Sequence, residues 1–219
     1  MLEALLFDLD GTLANTDPIH LRVWRDLLAP QGYDVDEDFF QTHISGRLNA
    51  DLVQNLLPQL SPAQGIEFSA HKEALFRQLA ADQLQPTPGL FDLLAWADHR
   101  HLPAAVVTNA PRENAEFILQ TLGLAQRFQA VVIAGDLPRA KPDPMPYLAG
   151  LQRLNMTADQ AIAFEDSTTG VAAAVGAGLY TVGLTTTHSP AELDQAGAHL
   201  IVADFKDPAL EALGLWPLT

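Results

Sequence analysis

The sequence predicts an α/β fold: a parallel sheet with helices on both faces, interrupted after its first strand by an all-helical insertion. Three observations predict it. Short apolar runs ended by turn residues recur at 5–8, 104–108, 130–134, 161–165 and 180–184, with a weaker one at 199–202. Such runs are the pattern of strands buried on both faces. From Pro103 onward they alternate with helix-period segments, the rhythm of parallel strands joined by crossover helices. The first connection breaks that rhythm, because about 90 residues separate the first strand from the second, where a crossover needs a dozen or so.

In chain order, Glu3-Ala4-Leu5-Leu6-Phe7 is the first strand and runs directly into Asp8-Leu9-Asp10-Gly11-Thr12. Ala14-Asn15-Thr16 is a short exit. Asp17-Pro18 reads as an N-cap followed by proline at the first helical position, with Ile19, Val23, Trp24, Leu27 and Leu28 on one face. Further helices are expected over 36–42, 49–57 and 69–81. Pro86-Thr87-Pro88-Gly89 is a stiff return lying close to the exit, so the two linkers suggest a hinge on which a helical cap closes over the end of the first strand. The expected division is residues 1–15 and 87–219 as the sheet domain and 16–86 as the cap. His99-Arg100-His101 complements a helix dipole at its end. A helix starts near Arg112, and a small-residue helix over 169–177 has Gly170 and Gly176 for close packing, with Gly178 just after it.

Composition bounds the chemistry. A chain of 219 residues, 48% of them hydrophobic, can bury one large core or two modest ones. Twelve basic against 27 acidic residues give a formal charge of −15, the opposite of a nucleic-acid footprint. Salt screens that field beyond ~8 Å, so a small anion remains an admissible ligand where the pocket is locally positive. The absence of cysteine excludes disulfides, thiolate metal sites and thiol nucleophiles. It fits a cytoplasmic protein, as does an N-terminus with no basic segment and an apolar run broken by Asp8. No apolar run approaches the roughly 20 residues that span a bilayer. A monomer is the default expectation.

Four segments carry chemistry. Asp8 and Asp10 stand one residue apart where the first strand stops, and ligands of open α/β sheets bind beyond the carboxyl ends of strands. Close carboxylates in a partly desolvated crevice repel unless a proton or cation intervenes. Thr108-Asn109 ends the second strand ahead of a helix whose free N–H groups could hold an anion. Lys141 is held before Pro142-Asp143-Pro144, where it can offer a point charge to phosphate. Glu165-Asp166-Ser167 places a second acidic pair at a strand end. Each has a plainer reading, as turn or helix-cap chemistry or as a surface lysine, but capping does not require both Glu165 and Asp166. Asp8, Asp166 and a carbonyl near Asp10 would make a partial oxygen shell of the kind Mg²⁺ takes, and zinc is disfavoured because there is no cysteine and no histidine pair at ligand spacing.

In order and rough spacing, these four segments resemble the haloacid dehalogenase superfamily. The helical insert resembles its β-phosphoglucomutase-like and phosphoglycolate-phosphatase-like branch. The likeness covers nearly the whole chain and implies a Rossmann-like core with the first strand between the second and the fourth. It implies that Asp8 is the nucleophile that becomes an aspartyl phosphate, and that Asp10 is the acid for the leaving group and then the base for water. Thr108 and Lys141 would hold the transferring phosphoryl group, with Asn109 adjacent. Asp8, the Asp10 main-chain oxygen and Asp166 would bind Mg²⁺, with Glu165 supporting them. Mg²⁺ and Lys141 are expected to lower the pKa of Asp8.

The resulting expectation is a Mg²⁺-dependent phosphatase acting on a small phosphorylated metabolite, with no nucleic-acid or membrane partner. Thr16, His20, Trp24, Ser45, Gly46, Arg47 and Asn49 are candidates for choosing the substrate, although Trp24 reads more simply as core. The alternative is a sugar-phosphate mutase of the β-phosphoglucomutase type. That pattern places arginine three residues after the cap glycine, where this chain has Asn49; Arg47 is the available substitute. A non-catalytic relative is disfavoured because every expected catalytic residue type is present. Dehalogenation is disfavoured by Asp10.

Overall fold

The computed structural model describes residues 2–45 and 47–214, so Gly46 lies outside the described residues. The chain divides into two compact units, one of residues 1–15 and 85–219 and one of residues 16–84. No helix among the described residues is long and apolar enough to cross a membrane.

The first unit is a sheet of six parallel strands, β1 (Ala4–Phe7), β2 (Ala104–Thr108), β3 (Ala130–Ile133), β4 (Ala161–Glu165), β5 (Tyr180–Leu184) and β6 (Leu200–Val202), in the order β3-β2-β1-β4-β5-β6. β1 therefore lies between β2 and β4, at the point where the strand order reverses. Helices α5 (Leu90–His99), α6 (Arg112–Thr121), α7 (Met145–Leu154), α8 (Thr168–Gly176) and α9 (Pro190–Gln195) complete the unit. The strands stop within a residue or two of the expected limits; β1 ends at Phe7, and the Asp8 amide still donates to the Phe164 carbonyl at 2.9 Å.

Alternation along the strands sorts the core. Ala4, Leu6, Ala105, Val107, Ala161 and Ala163 pack with Tyr147, Leu151 and Leu154 of α7 and with Ala173 and Ala174 of α8. Phe7 points the other way, stacking on Phe164 at 5.0 Å and meeting Phe205 edge-on at 6.1 Å. Asp8 follows Leu6 and Glu165 follows Ala163 at a two-residue step, so both carboxylates emerge on the α7 side. The exit and return linkers are bridged: Ala14 pairs with Asp10 and with Pro86, and the Thr87 amide donates to the Leu13 carbonyl at 3.0 Å.

The second unit is helical, with α1 (Asp17–Leu28), α2 (Glu37–His43), α3 (Asn49–Leu56) and α4 (Pro62–Ala80). Its core gathers Trp24, Leu28, Val35, Phe40, Ile44, Leu52, Val53 and Leu57, so Trp24 is a core residue. The starts of α1 and α4 differ from expectation. Thr16, not Asp17, occupies the N-cap of α1. Proline is tolerated anywhere among the first unbonded amides of a helix, so Pro18 alone does not locate the cap. α4 starts at Pro62 rather than at residue 69, because Ser61 and Gln64 form a reciprocal capping box.

Candidate active site

The site is built at the carboxyl ends of β1 and β4. The register pairs Phe7 with Val106 on one side and with Phe164 on the other, which brings Asp8 level with Val107 and Glu165. One ligand atom from each of Asp8, Glu165 and Asp166 lies within 4.8 Å of the others, and all three residues are buried. Lys141 reaches this group from the segment before α7. Its Nζ lies 2.6 Å from Asp8 Oδ1 and 2.6 Å from Glu165 Oε1.

Glu165 is saturated with donors. Oε1 accepts from Lys141 and, at 2.9 Å, from the Tyr147 hydroxyl. Oε2 accepts from the Asp166 and Ser167 amides and from the Ser167 hydroxyl at 3.1–3.2 Å. A Cβ on Gly170 would collide with this carboxylate, which explains the small residue in the first turn of α8. Ser167 caps α8, its Oγ accepting from the Gly170 amide at 3.0 Å, so neither acid is spent on capping.

Asp166 accepts from the buried Thr12 hydroxyl at 2.8 Å. Gly11 has φ +78°, and a Cβ there would strike the Asp166 carboxylate. Glycine is thus required twice over, by the turn and by the close approach. Asn109 clasps the Lys141 backbone: its Oδ1 accepts from the Lys141 amide at 3.2 Å and its Nδ2 donates to the Lys141 carbonyl at 3.3 Å. The buried Thr108 hydroxyl accepts from the Ala110 amide at 2.9 Å and shapes the turn after β2.

The electrostatics are unbalanced. Burial pushes Asp8 up to about 8; Lys141 pulls it down, while Glu165 and Asp10 raise it further. Lys141 thus lowers the Asp8 pKa, as the sequence leads one to expect, but does not by itself bring Asp8 back into the usual carboxylate range. Burial likewise holds Asp166 well above its ordinary value, with Asp8 and Glu165 adding to the effect. Burial works to lower Lys141, but Asp8 and Glu165 outweigh it and raise its pKa. Burial and the Glu165 charge push the Tyr147 phenol far up, so it stays a hydrogen-bond donor.

Three buried carboxylates around one ammonium make a site that a divalent cation fits. The donors are all oxygen, which suits a hard ion such as Mg²⁺. The Thr187 hydroxyl beside Asp166 is buried and has no hydrogen-bond partner of normal geometry among the described residues.

The remaining candidates lie in the helical unit. His20 stacks on Phe76 at 4.0 Å, and its Nδ1 lies 3.0 Å from the buried Lys72 ammonium. Lys72 pairs with Glu73 at 2.9 Å, and the Asn49 amide donates to the same Glu73 oxygen. The structure thus brings the half-buried His20 and Asn49 into one polar cluster with the buried Lys72 and Glu73. It does not bring Arg47 there: that side chain is exposed and donates to the Thr42 carbonyl at 3.0 Å. Thr16 is buried, its carbonyl accepting from the Ile19 and His20 amides. The Ser45 hydroxyl lies 3.5 Å from Asp17. Reading the sequence assigned no role to Thr12, Tyr147, Lys72, Glu73, Thr187 or His188. Thr12 alone was within reach, as the last residue of the first motif.

Comparison with known proteins identifies the family. The family model of haloacid dehalogenase-like hydrolases matches residues 5–184. A validoxylamine A 7'-phosphate phosphatase of Streptomyces hygroscopicus subsp. limoneus is 33% identical over 196 residues, covering 90% of this chain and 92% of that protein. The fructose-1-phosphate phosphatase YqaB of Escherichia coli is 31% identical over 180 residues, covering 80% and 92%. The crystal structure of CbbY from Rhodobacter sphaeroides in complex with phosphate superposes with a TM-score of 0.81 at 28% identity, covering 94% of this chain and 95% of that one. The chain belongs to the haloacid dehalogenase-like hydrolases.

Proposed function

We propose that this haloacid dehalogenase-like hydrolase is a Mg²⁺-dependent phosphatase of small phosphorylated metabolites, working through an aspartyl-phosphate intermediate. The observation that carries the proposal is the charge imbalance at β1 and β4, where Asp8, Glu165 and Asp166 surround the single ammonium of Lys141. Relatives named as a validoxylamine A 7'-phosphate phosphatase and a fructose-1-phosphate phosphatase support phosphorylated carbohydrates as the first substrates to try.

Mg²⁺, held by Asp8, Asp166 and the Asp10 carbonyl, would supply positive charge that keeps Asp8 ionised and shields the phosphoryl oxygens. An Asp8 carboxylate oxygen then attacks phosphorus, and the bond from phosphorus to the substrate oxygen breaks. Asp10 donates a proton to that departing oxygen. In the second step Asp10 takes a proton from water, whose oxygen attacks the phosphorus of the acyl phosphate, releasing phosphate and restoring Asp8. Lys141 faces the negative charge spread over the phosphoryl oxygens, which is where phosphoryl transfer is stabilised. Asn109 fixes the Lys141 backbone, and Thr108 completes the phosphate-holding edge. Glu165, its oxygens occupied by five donors, acts as the anchor for Lys141 and the Asp166 turn rather than as a ligand.

The mutase reading is weakened by two contacts in the helical unit. The Asn49 amide is engaged by Glu73, and the Arg47 guanidinium by the Thr42 carbonyl, so neither is offered to a second phosphate. A phosphate-release screen over a metabolite panel tests the proposal, run with Mg²⁺, with chelator, and with Asp8→Asn. Release that chelator abolishes and that Asp8→Asn lowers by at least about 10⁴-fold is expected for loss of a covalent nucleophile. Undiminished release by pure Asp8→Asn protein would sink it. Isomerised glucose 1-phosphate without free phosphate, in the presence of a bisphosphate primer, would favour the mutase instead.

A further inference from the structure

The turn after β5 carries three consecutive side chains that converge on the candidate metal centre. The Thr186 hydroxyl donates to the Gly11 carbonyl at 2.6 Å, fastening the turn that follows Asp10. His188 Nδ1 donates to the Asp166 carbonyl at 3.2 Å, fastening the other acidic segment. Thr187, between them, has its hydroxyl buried against the tight contact of Gly11 and Asp166, where a Cβ on Gly11 would come within 2.7 Å of it. Its neighbours on both sides are satisfied by backbone carbonyls; its own oxygen has no hydrogen-bond partner of normal geometry among the described residues.

A buried hydroxyl without a partner costs about 1–3 kcal/mol, so its retention beside a carboxylate needs a reason. Packing alone does not supply one, because valine has the same shape. Mg²⁺ retains several of its waters when carboxylates bind it, and those waters need acceptors and donors from the surrounding protein.

We propose that Thr187 is a positioning residue for the divalent ion, its hydroxyl hydrogen-bonding water of the ion's hydration shell beside the Asp166 carboxylate. This rests on the reading that the site takes Mg²⁺. Thr187 acts on the ion through water, and neither attacks phosphorus nor carries a proton. Thr186 and His188 hold the loop so that the hydroxyl stays aimed at the site.

Calorimetric titration of Mg²⁺ into metal-stripped protein tests it without an activity measurement. Thr187→Val is expected to weaken Mg²⁺ binding about 10-fold or more, the usual effect of losing an outer partner of a metal centre. Thr187→Ser, which keeps the hydroxyl, is expected to stay within about threefold of the original protein, a small change on the same scale. The melting temperature of the metal-free protein is expected to be unchanged or slightly raised in Thr187→Val, since a partnerless hydroxyl is replaced by a methyl group. Equal Mg²⁺ affinity in Thr187→Val and the original protein would overturn the proposal, as would equal losses in the valine and serine variants. If the valine variant does not fold, Thr187→Ala is read by the same criteria. An original protein that binds no Mg²⁺ overturns the metal reading and this inference together, and is told apart from the other failures because no variant is needed to see it.

Discussion

Two buried lysines sit in this molecule in opposite circumstances. Lys141 in the sheet unit is 6% exposed and Lys72 in the helical unit 3% exposed, so burial penalises both ammonium groups alike. Lys72 is matched by Glu73; burial works to raise that carboxyl, but Lys72, His20 and the Asn49 amide outweigh it and hold Glu73 below its ordinary value. Around Lys141 the acids outnumber the base, and burial leaves Asp8 and Asp166 raised despite the lysine. The difference teaches that burial does not by itself make a reactive site. A matched pair is a structural element, whereas an excess of buried carboxylates is a demand for a cation or a proton.

The largest expected effect comes from removing the base at the unbalanced site. Lys141→Met leaves Asp8 and Glu165 without their shared ammonium. Phosphate release is expected to fall at least about 10²-fold, the scale for losing one charge-stabilising donor. Steady-state release equal to that of the original protein would remove Lys141 from the machinery and collapse the contrast. Next in size is the matched pair. Glu73→Gln keeps the shape and the bond from Asn49 but leaves the Lys72 charge uncompensated, and is expected to cost about 2 kcal/mol in urea unfolding. A cost near zero would show that Lys72 is satisfied without Glu73.

The last test is a pH slope. A carboxyl raised in the folded state binds its proton more tightly there than in the unfolded chain. The stability it contributes is complete below its ordinary pKa near 3.8 and is lost as pH rises through its folded value of about 8. Metal-free protein is therefore expected to lose thermal stability between about pH 4 and pH 8. Mg²⁺ is expected to restore it, with a greater gain at pH 8 than at pH 5. Melting curves at several pH values, with and without Mg²⁺, measure this; a gain independent of pH would mean that the ion does not relieve Asp8.

The parallel sheet was legible because strands buried on both faces are written as plain apolar runs, as in Ala104-Ala105-Val106-Val107. Asp8 and Asp166 were legible because acids rarely end such runs without a use. The start of α4 was missed although the Ser61–Gln64 box was present, because its polar partners do not stand out without the capping geometry. The α1 cap was placed one residue late because Pro18 fits more than one position. Tyr147 and Thr187 left no readable trace. Tyr147 looks like an ordinary core aromatic of α7, and Thr187 like one of several threonines in a turn.

By itself the sequence determined the element order, the early helical insertion and the residue types at the strand ends, because those depend on local hydrophobic period and on turn chemistry. Only the tertiary structure decided how the charges balance. Which of Asp8, Glu165, Asp166 and Lys141 share one buried volume, and that Tyr147 and Thr187 join them, depends on strand register and helix packing between residues far apart in the chain. Coulomb and desolvation energies follow distance and burial in space, and no pattern along the chain encodes those directly.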